Sequence, residues 1–279
     1  MSAIPLVREP DAADERVKEA YRDIKESLRM SLVDIMFQAY AANPKFLDYT
    51  WRRLRPSMLA PPFIEQARKL GELADAEVAG WPISDHAAAL HARNYGETDL
   101  RKLREIVDLF HCVNPKLLII AHAVRVALTG EPIGGLGVPH PPQIIDRDKL
   151  VRDRRGLVIT LADEREAPPR VRASYEEIQR ATGLPFILGD YKAMGSYPDW
   201  LDVFWSDCKQ FVSSARHRQL CAGVGAAAQE AARLLPYPLH MNPDVFAEMV
   251  PVNEAFCEAL PSLIVNVAIA SRGLGPEPQ

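Results

Sequence analysis

The sequence lacks several features that mark common classes of protein, and each absence narrows the possible functions. It has 4 cysteines among 279 residues and none lies in a Cys-x-x-Cys pair, although a chain of this length can fold without disulfides. We therefore expect reduced thiols and a cytoplasmic protein. The N-terminus has no apolar stretch of the kind a signal peptide needs, and no run of about 18 apolar residues predicts a membrane span.

Charge and motifs exclude further classes. The net charge is -4, and no basic run is interleaved with aromatic residues, so we expect no nucleic-acid partner. The 7 histidines form neither a His-Glu-x-x-His motif nor a Cys/His quartet at zinc spacing, so we expect no metal site. His122, on an apolar stretch, is more typical of a core histidine than of a ligand. There is no Gly-x-Ser-x-Gly elbow for serine hydrolysis.

The chain contains an internal repeat. Residues 44–54 read PKFLDYTWRRL, and residues 198–208 read PDWLDVFWSDC. Four identical residues recur at an offset of 154 positions, and four upstream positions match at the same offset. The matched pairs are Pro44/Pro198, Leu47/Leu201, Asp48/Asp202, Trp51/Trp205, Val17/Val171, Tyr21/Tyr175, Ile24/Ile178 and Ala39/Ala193. An ordered series of this kind predicts a duplicated domain.

Both copies have helical periodicity, and we predict an all-α protein of two tandem helical repeats packed about a pseudo-two-fold axis. The predicted boundaries are a first repeat over 1–130, a linker over 131–156 and a second repeat over 157–279. The linker is rich in proline and glycine and then heavily charged, which is typical of linkers.

Asp190 interrupts an apolar stripe. If a helix begins near Pro185, its inward face carries Ile187, Asp190, Tyr191 and Met194, whereas the first copy has Val33, Met36, Phe37 and Tyr40 at those positions. The fold therefore does not require a carboxylate there. A buried carboxylate is costly without a partner or a task. The alternatives are a structural ion pair or helix cap near Gly189, and a general base in an apolar pocket.

Two other positions differ between the copies. Asn114 has no amide counterpart, and the pattern predicts that one helix ends there, before Pro115, and that another begins after it. Its amide could cap the helix or orient a water or a substrate oxygen. Asp34 lies where the second copy has Leu188, and it is either a pocket residue or an ordinary exposed helix residue.

Four motifs in chain order carry a family resemblance: WRR at 51–53, VNPKLLI with Asn114, EPIGG at 131–135 and GDYKAMGSYP with Asp190. Together they resemble the group I 2-haloacid dehalogenases, the DehI family, over nearly the whole chain. That family shares the duplication. The resemblance implies an all-helical fold related to the AhpD-like fold, a homodimer, an active site between the two halves, and no metal or organic cofactor.

The resemblance also implies roles for individual residues. Asp190 falls on the aspartate that activates water, and Asn114 on an asparagine that helps to hold water and substrate. Five residues fall on the substrate pocket: Leu32, Asp34, Ile35, Gly189 and Phe256. Four of these depart from the family pattern, because Leu32 replaces a tryptophan, Asp34 a small residue, Ile35 an aromatic and Gly189 a serine. The lost serine removes a donor to the substrate carboxylate, which Asp34 would repel.

We therefore predict hydrolytic dehalogenation of 2-haloalkanoic acids to 2-hydroxy acids. An Asp190-activated water attacks directly and inverts C2, so the partners are a halogenated carboxylic acid and water. One alternative is a non-catalytic or differently specific relative that binds a larger or less anionic halogenated molecule. A further alternative, an AhpD-like thiol peroxidase or decarboxylase, requires a redox cysteine pair that the sequence lacks.

Overall fold

The computed structural model describes residues 4–135, 157–184 and 186–276. These residues form eleven α-helices, two short 3-10 turns and one isolated β-bridge between Ile133 and Leu239. The expected all-α class is confirmed for this part of the chain. The bridge lies at the start of the predicted linker, which there packs against the loop after residue 234 through Gly135 N and Leu235 O at 2.8 Å.

The helices follow one another with short connections. In the first part of the chain they are α1 Glu15–Leu28, α2 Ile35–Tyr40, α3 Pro44–Met58, α4 Pro61–Val78, α5 His86–His91 and α6 Glu97–Ala127. In the second part they are α7 Pro169–Thr182, α8 Gly189–Gly195, α9 Pro198–Val212, α10 Ala215–Arg233 and α11 Val250–Leu274.

The repeat in the sequence has a counterpart in the helix boundaries. Helices α1 and α7 begin and end 154 positions apart, and so do α3 and α9. Both α3 and α9 begin with a proline, whose fixed φ suits the first helical position. This spacing is what two copies of one fold produce. The domain boundaries and the pseudo-two-fold arrangement stay predictions.

Matching hydrogen bonds anchor the equivalent helices α2 and α8. In the first copy, Val7 N donates to Gln38 O at 3.0 Å, and Tyr21 Oη donates to Val7 O at 2.5 Å. The second copy has the same arrangement, with Ala162 N to Lys192 O at 2.9 Å and Tyr175 Oη to Ala162 O at 3.1 Å. An extended segment before α1 or α7 therefore holds each short helix from the same side.

Helices α6 and α11 pack against each other as the centre of the core. Leu117 to Val124 of α6 and Leu263 to Ala270 of α11 are almost entirely buried. Length and composition alone would allow α6 and the segment Ala247–Leu274 to cross a membrane. However, 78% and 72% of their most apolar windows are buried inside the protein, as in the core helices of a soluble fold.

Two predicted helix boundaries are wrong. Helix α6 does not end before Pro115 but runs unbroken for 31 residues with Pro115 inside it. A proline inside a helix costs about 3 kcal/mol, and the burial of apolar side chains on both sides of it outweighs that cost. The helix that carries Asp190 begins at Gly189, after the extended N-cap residue Leu188. Pro185, the predicted start, lies outside the described residues.

Candidate active site

Asp190 is the second residue of α8 and is 1% exposed. This helix has only 7 residues, and the neighbouring Tyr191 fixes it in the core. The Tyr191 ring packs on Phe204 with the ring centroids 6.4 Å apart. The Tyr191 hydroxyl group accepts a hydrogen bond from Asn266 Nδ2 at 2.8 Å. The Asp190 carboxyl group therefore lies on a short helix that the contacts of Tyr191 with Phe204 and Asn266 hold in place.

Asn114 provides the partner of Asp190. Its Nδ2 donates to Asp190 Oδ1 at 2.7 Å, and its side chain is 1% exposed. Since Asn114 lies in the middle of α6, it caps no helix end, and the capping interpretation is wrong. Its Oδ1 is buried and receives no hydrogen bond within the described ranges. This acceptor is therefore available to a water or a ligand.

Asp34 is the N-cap residue of α2, and its Oδ1 accepts from Met36 N at 2.8 Å. It is 6% exposed, so the interpretation as an ordinary exposed helix residue is wrong. Leu188 occupies the equivalent N-cap position of α8 without any side-chain cap. The fold thus accepts an apolar residue at a position where the first copy buries a carboxylate.

The segment 157–162 contacts the chain just before α2 and just after α8. Ile159 N donates to Ser31 Oγ at 3.2 Å just before α2, and Ser196 Oγ, just after α8, donates to Thr160 O at 2.8 Å. The segment therefore connects the chain before α2, where Asp34 is the N-cap residue, with the end of α8, the helix that carries Asp190.

The pKa values of both carboxyl groups are raised above their ordinary value. Burial raises the pKa of Asp190 to about 8, the bond from Asn114 opposes this rise, and the negative charge of Asp34 adds to it. Burial raises the pKa of Asp34 to about 6, against the lowering effect of the Met36 and Ile35 backbone N–H groups. In the part of the chain that the structure describes, neither carboxyl group has an ion pair with a cationic side chain. Asp190 therefore titrates close to neutral pH, and the charge of Asp34 contributes to its raised pKa.

The other expected pocket residues differ in burial and in their surroundings. Ile35 directly follows Asp34 and is buried, whereas Leu32 is only half-buried. A Cβ added at Gly189 meets no atom within 4 Å, so there is open space beside Asp190. Phe256 is fully buried in α11, with Tyr40 edge-on at 6.4 Å and Phe186 at 5.8 Å between ring centroids. The roles of these residues in binding stay predictions.

Sequence reasoning missed two buried tyrosine–asparagine pairs. Tyr40 Oη donates to Asn253 Oδ1, and Asn253 Nδ2 donates to Ala121 O at 3.0 Å. Tyr191 pairs with Asn266, as described above. Both asparagines interrupt the otherwise apolar face of α11, which is the same kind of misfit that identified Asp190. The tyrosines were assigned to an apolar stripe, and their hydroxyl groups were not considered.

Three of the four thiols do not fit redox chemistry. Burial raises the pKa of Cys221 and of Cys257 to about 12, and that of Cys208 well above its ordinary value. A redox thiol requires the opposite shift. Among the residues that the structure describes, no three His, Cys, Asp or Glu side chains are grouped to hold a metal ion.

Comparison with known proteins places the chain in a family. The family model described as "Halocarboxylic acid dehydrogenase DehI" matches residues 31–191, a range that contains Asp34, Asn114 and Asp190. The chain belongs to the DehI family. The resemblance that the motifs carry is therefore confirmed.

Several known proteins, some of them with solved structures, are similar to this DehI-family protein over most of the chain. An (R)-2-haloacid dehalogenase of Pseudomonas putida is 27% identical over 274 residues, which cover 91% of this chain and 88% of the relative. A configuration-inverting 2-haloacid dehalogenase of Pseudomonas sp. (strain 113) is 25% identical over 197 residues, covering 70% of this chain and 63% of the relative. The structure of a D-2-haloacid dehalogenase mutant in complex with D-2-CPA superposes on this chain with a TM-score of 0.88. The match covers 98% of this chain and 96% of the dehalogenase chain, at 24% sequence identity. That likeness confirms the fold.

Proposed function

We propose that this DehI-family protein hydrolyses the carbon–halogen bond of 2-haloacids, with Asp190 as the base that activates the attacking water. The reaction class, a hydrolase acting on carbon–halide bonds, follows from family membership and from the dehalogenases to which the chain is similar. The hydrogen bond between Asn114 and Asp190, buried between the two copies, is the observation that carries the assignment of the base.

Asn114 supports this role in two ways. Its Nδ2 holds Asp190 Oδ1, and within the described residues no other residue donates to Asp190 Oδ2. Its own Oδ1 is a second acceptor without a donor. A water that donates one hydrogen to each of these oxygens has its lone pair free to attack a carbon.

The chemistry balances without a cofactor. An oxygen–carbon bond forms at C2 as the carbon–halogen bond breaks, the water proton passes to Asp190, and the halogen leaves as halide. A positioned base contributes roughly 10²–10⁴ in rate, and alignment of the water adds to that. Attack opposite to the leaving group inverts C2, and apolar side chains such as Ile35 and Phe256 keep bulk water away.

The test of the base is halide release by Asp190→Asn. We expect release from 2-chloropropionate to fall by at least about 100-fold, because the amide cannot accept the water proton. Asp199→Asn, at an exposed ion pair with Arg170, is the matched control and should retain wild-type activity. Unchanged circular dichroism shows that the fold is intact. Turnover by Asp190→Asn at the wild-type rate would refute the assignment.

The route of the oxygen atom provides a second test. In a single turnover in ¹⁸O-labelled water, direct attack puts the label into the product hydroxyl. Label in the Asp190 carboxylate together with an unlabelled first product indicates an ester intermediate and contradicts direct attack. Chiral analysis of the product from each enantiomer of 2-chloropropionate tests inversion independently.

We further propose that the protein works as a homodimer in the cytoplasm, as the family resemblance implies. The four cysteines, all free, are compatible with a reducing compartment. Light scattering should give twice the 31.1 kDa mass of one chain, and a mass of one chain contradicts the dimer.

A further inference from the structure

We propose that Asn266 is a positioning residue for the base: through the hydroxyl group of Tyr191 it holds the carboxyl group of Asp190 within hydrogen-bonding distance of Asn114. The inference rests on the proposed function, because it concerns the base of the same reaction. In this role Asn266 needs no contact with the water or the substrate. It acts through the backbone of α8, in which Asp190 and Tyr191 are consecutive residues.

Three buried side chains from three helices form one chain of hydrogen bonds. Asn266 of α11 donates from Nδ2 to Tyr191 Oη at 2.8 Å, and its Oδ1 accepts from Nε2 of His217 in α10 at 3.0 Å. All three residues are at most 3% exposed. Burial lowers the pKa of His217, which keeps its ring neutral. Because both ends of the Asn266 amide are bonded, its orientation towards Tyr191 is fixed.

The first copy carries apolar side chains at two of these three positions. Helices α2 and α8 begin 154 positions apart, and Phe37 is equivalent to Tyr191. Helices α4 and α10 begin at the same offset, and Phe63 is equivalent to His217. Both phenylalanines are buried. The aromatic packing that these positions need is therefore available without a hydroxyl group or an imidazole.

The third position differs between the copies in the same way. Around the prolines inside α6 and α11, the two copies align at an offset of 146 positions, and Ile120 is equivalent to Asn266. Ile120 is fully buried. The copy that carries Asp190 thus has three bonded polar groups, whereas the copy with Met36 in its place has three apolar ones. Since the fold accepts either set, the polar set is expected to serve the residue that differs beside it.

The start of α8 needs such an anchor. The helix has 7 residues, too few to be stable alone, and its N-cap residue Leu188 makes no side-chain cap. The extended segment before α7 bonds to Lys192 and Ser196, at the middle of the helix and at its C-cap. Tyr191 therefore fixes the turn that contains Asp190. A base that is misplaced by about 1 Å loses on the order of 100-fold in rate.

The experiment measures kcat and KM for halide release from 2-chloropropionate by the wild type, Asn266→Ile and Tyr191→Phe. Both variants break the same hydrogen bond, and Tyr191→Phe removes only one oxygen atom and keeps the ring. We expect kcat to fall at least about tenfold in each variant, because the base is misplaced. KM should stay within about threefold of the wild type, because the residues that bind the substrate are unchanged. Circular dichroism verifies that each variant is folded.

The combined variant Tyr191→Phe/Asn266→Ile/His217→Phe separates positioning from stability. It reproduces the apolar set of the first copy and removes the three polar groups together. We expect its melting temperature to exceed that of Asn266→Ile, which leaves two buried polar groups unpaired, while kcat stays at least about tenfold below the wild type. Recovery of kcat together with the melting temperature would show a purely structural role and overturn the inference.

Asn43→Ala is the matched control for lost stability, since Asn43 caps α3 through Phe46 N at 3.0 Å. Its melting temperature should fall while kcat stays at the wild-type value. The inference is overturned if folded Asn266→Ile and Tyr191→Phe keep kcat within about twofold of the wild type or change KM alone. In that case, a wild type whose activity requires Asp190 leaves the proposed function standing. A wild type that releases no halide from 2-haloacids overturns both.

Discussion

Asn114 and Asp190 lie 76 positions apart in the chain, on the longest helix and on one of the shortest, and a 2.7 Å hydrogen bond joins their side chains in the core. The amide both orients the carboxylate and opposes the rise in its pKa that burial causes. The first two predictions test these effects.

Replacement of Asn114 by alanine should lower kcat for halide release by at least about tenfold. It leaves Asp190 Oδ1 without its donor and removes the second acceptor for the water. Steady-state kinetics on 2-chloropropionate measure the effect. Asn242→Ala, at an exposed amide whose Oδ1 accepts from Asp244 N, is the control. Equal kcat in Asn114→Ala and the control would contradict the role of Asn114.

The rate should depend on pH through Asp190. Its pKa of about 8 means that the basic form is scarce at neutral pH, so kcat/KM should rise as the pH passes through about 8. The charge of Asp34 contributes to that high pKa, and Asp34→Asn should therefore move the rising limb to lower pH. A limb that stays in place, measured on an uncharged substrate such as 2-bromopropionamide, would show that the two carboxyl groups are not coupled.

The buried carboxyl group should also cost stability at high pH. The pKa of Asp190 is raised from 3.8 to about 8 in the folded protein. The contribution of this carboxyl group to the free energy of unfolding is therefore fully present below pH 4 and is lost as the pH rises towards 8. Asp190→Asn does not titrate. The wild type loses stability between pH 5 and pH 8 and the variant does not. The free energy of unfolding of Asp190→Asn minus that of the wild type should therefore increase by roughly 1–4 kcal/mol between these pH values.

Urea denaturation at the two pH values measures that difference, with Asp199→Asn as the exposed control. Constant effects of the replacement, such as an imperfectly paired amide, cancel between the two pH values. A difference that is the same at pH 5 and pH 8 would mean that the carboxyl group is not held in a dry environment.

Two glycines of the same helix should respond oppositely to alanine. A Cβ at Gly189 meets open space, whereas a Cβ at Gly195 collides with the hydroxyl group of Tyr175. We expect Gly189→Ala to leave the melting temperature unchanged or raised, and Gly195→Ala to destabilise the protein by roughly 1–3 kcal/mol. Thermal unfolding checks both. Equal destabilisation would show that the region beside Asp190 is filled.

The sequence was sufficient for the fold class, and it singled out the buried pair Asn114 and Asp190 on which the proposed site depends. The internal repeat provided a comparison for each residue, so Asp190 stood out against Met36 and Asn114 against a position with no amide. The motifs around these residues were enough to indicate the family.

The wrong predictions concern residues at or near expected helix ends. Pro115 was expected to end a helix, but burial on both sides holds α6 together through it. The burial of Asp34 depends on α2 starting at Ile35, which local propensity does not fix. Whether a side chain is exposed or enclosed beside a helix start is decided by tertiary packing, and a single sequence carries little information about it.

The unbroken course of α6 limits how the protein can admit a ligand. Asn114 is fixed near the midpoint of a 31-residue rod, with core packing along its length, and cannot swing aside without disturbing the whole interior. A ligand that reaches Asp190 therefore meets an amide whose position is set by the packing of the whole core.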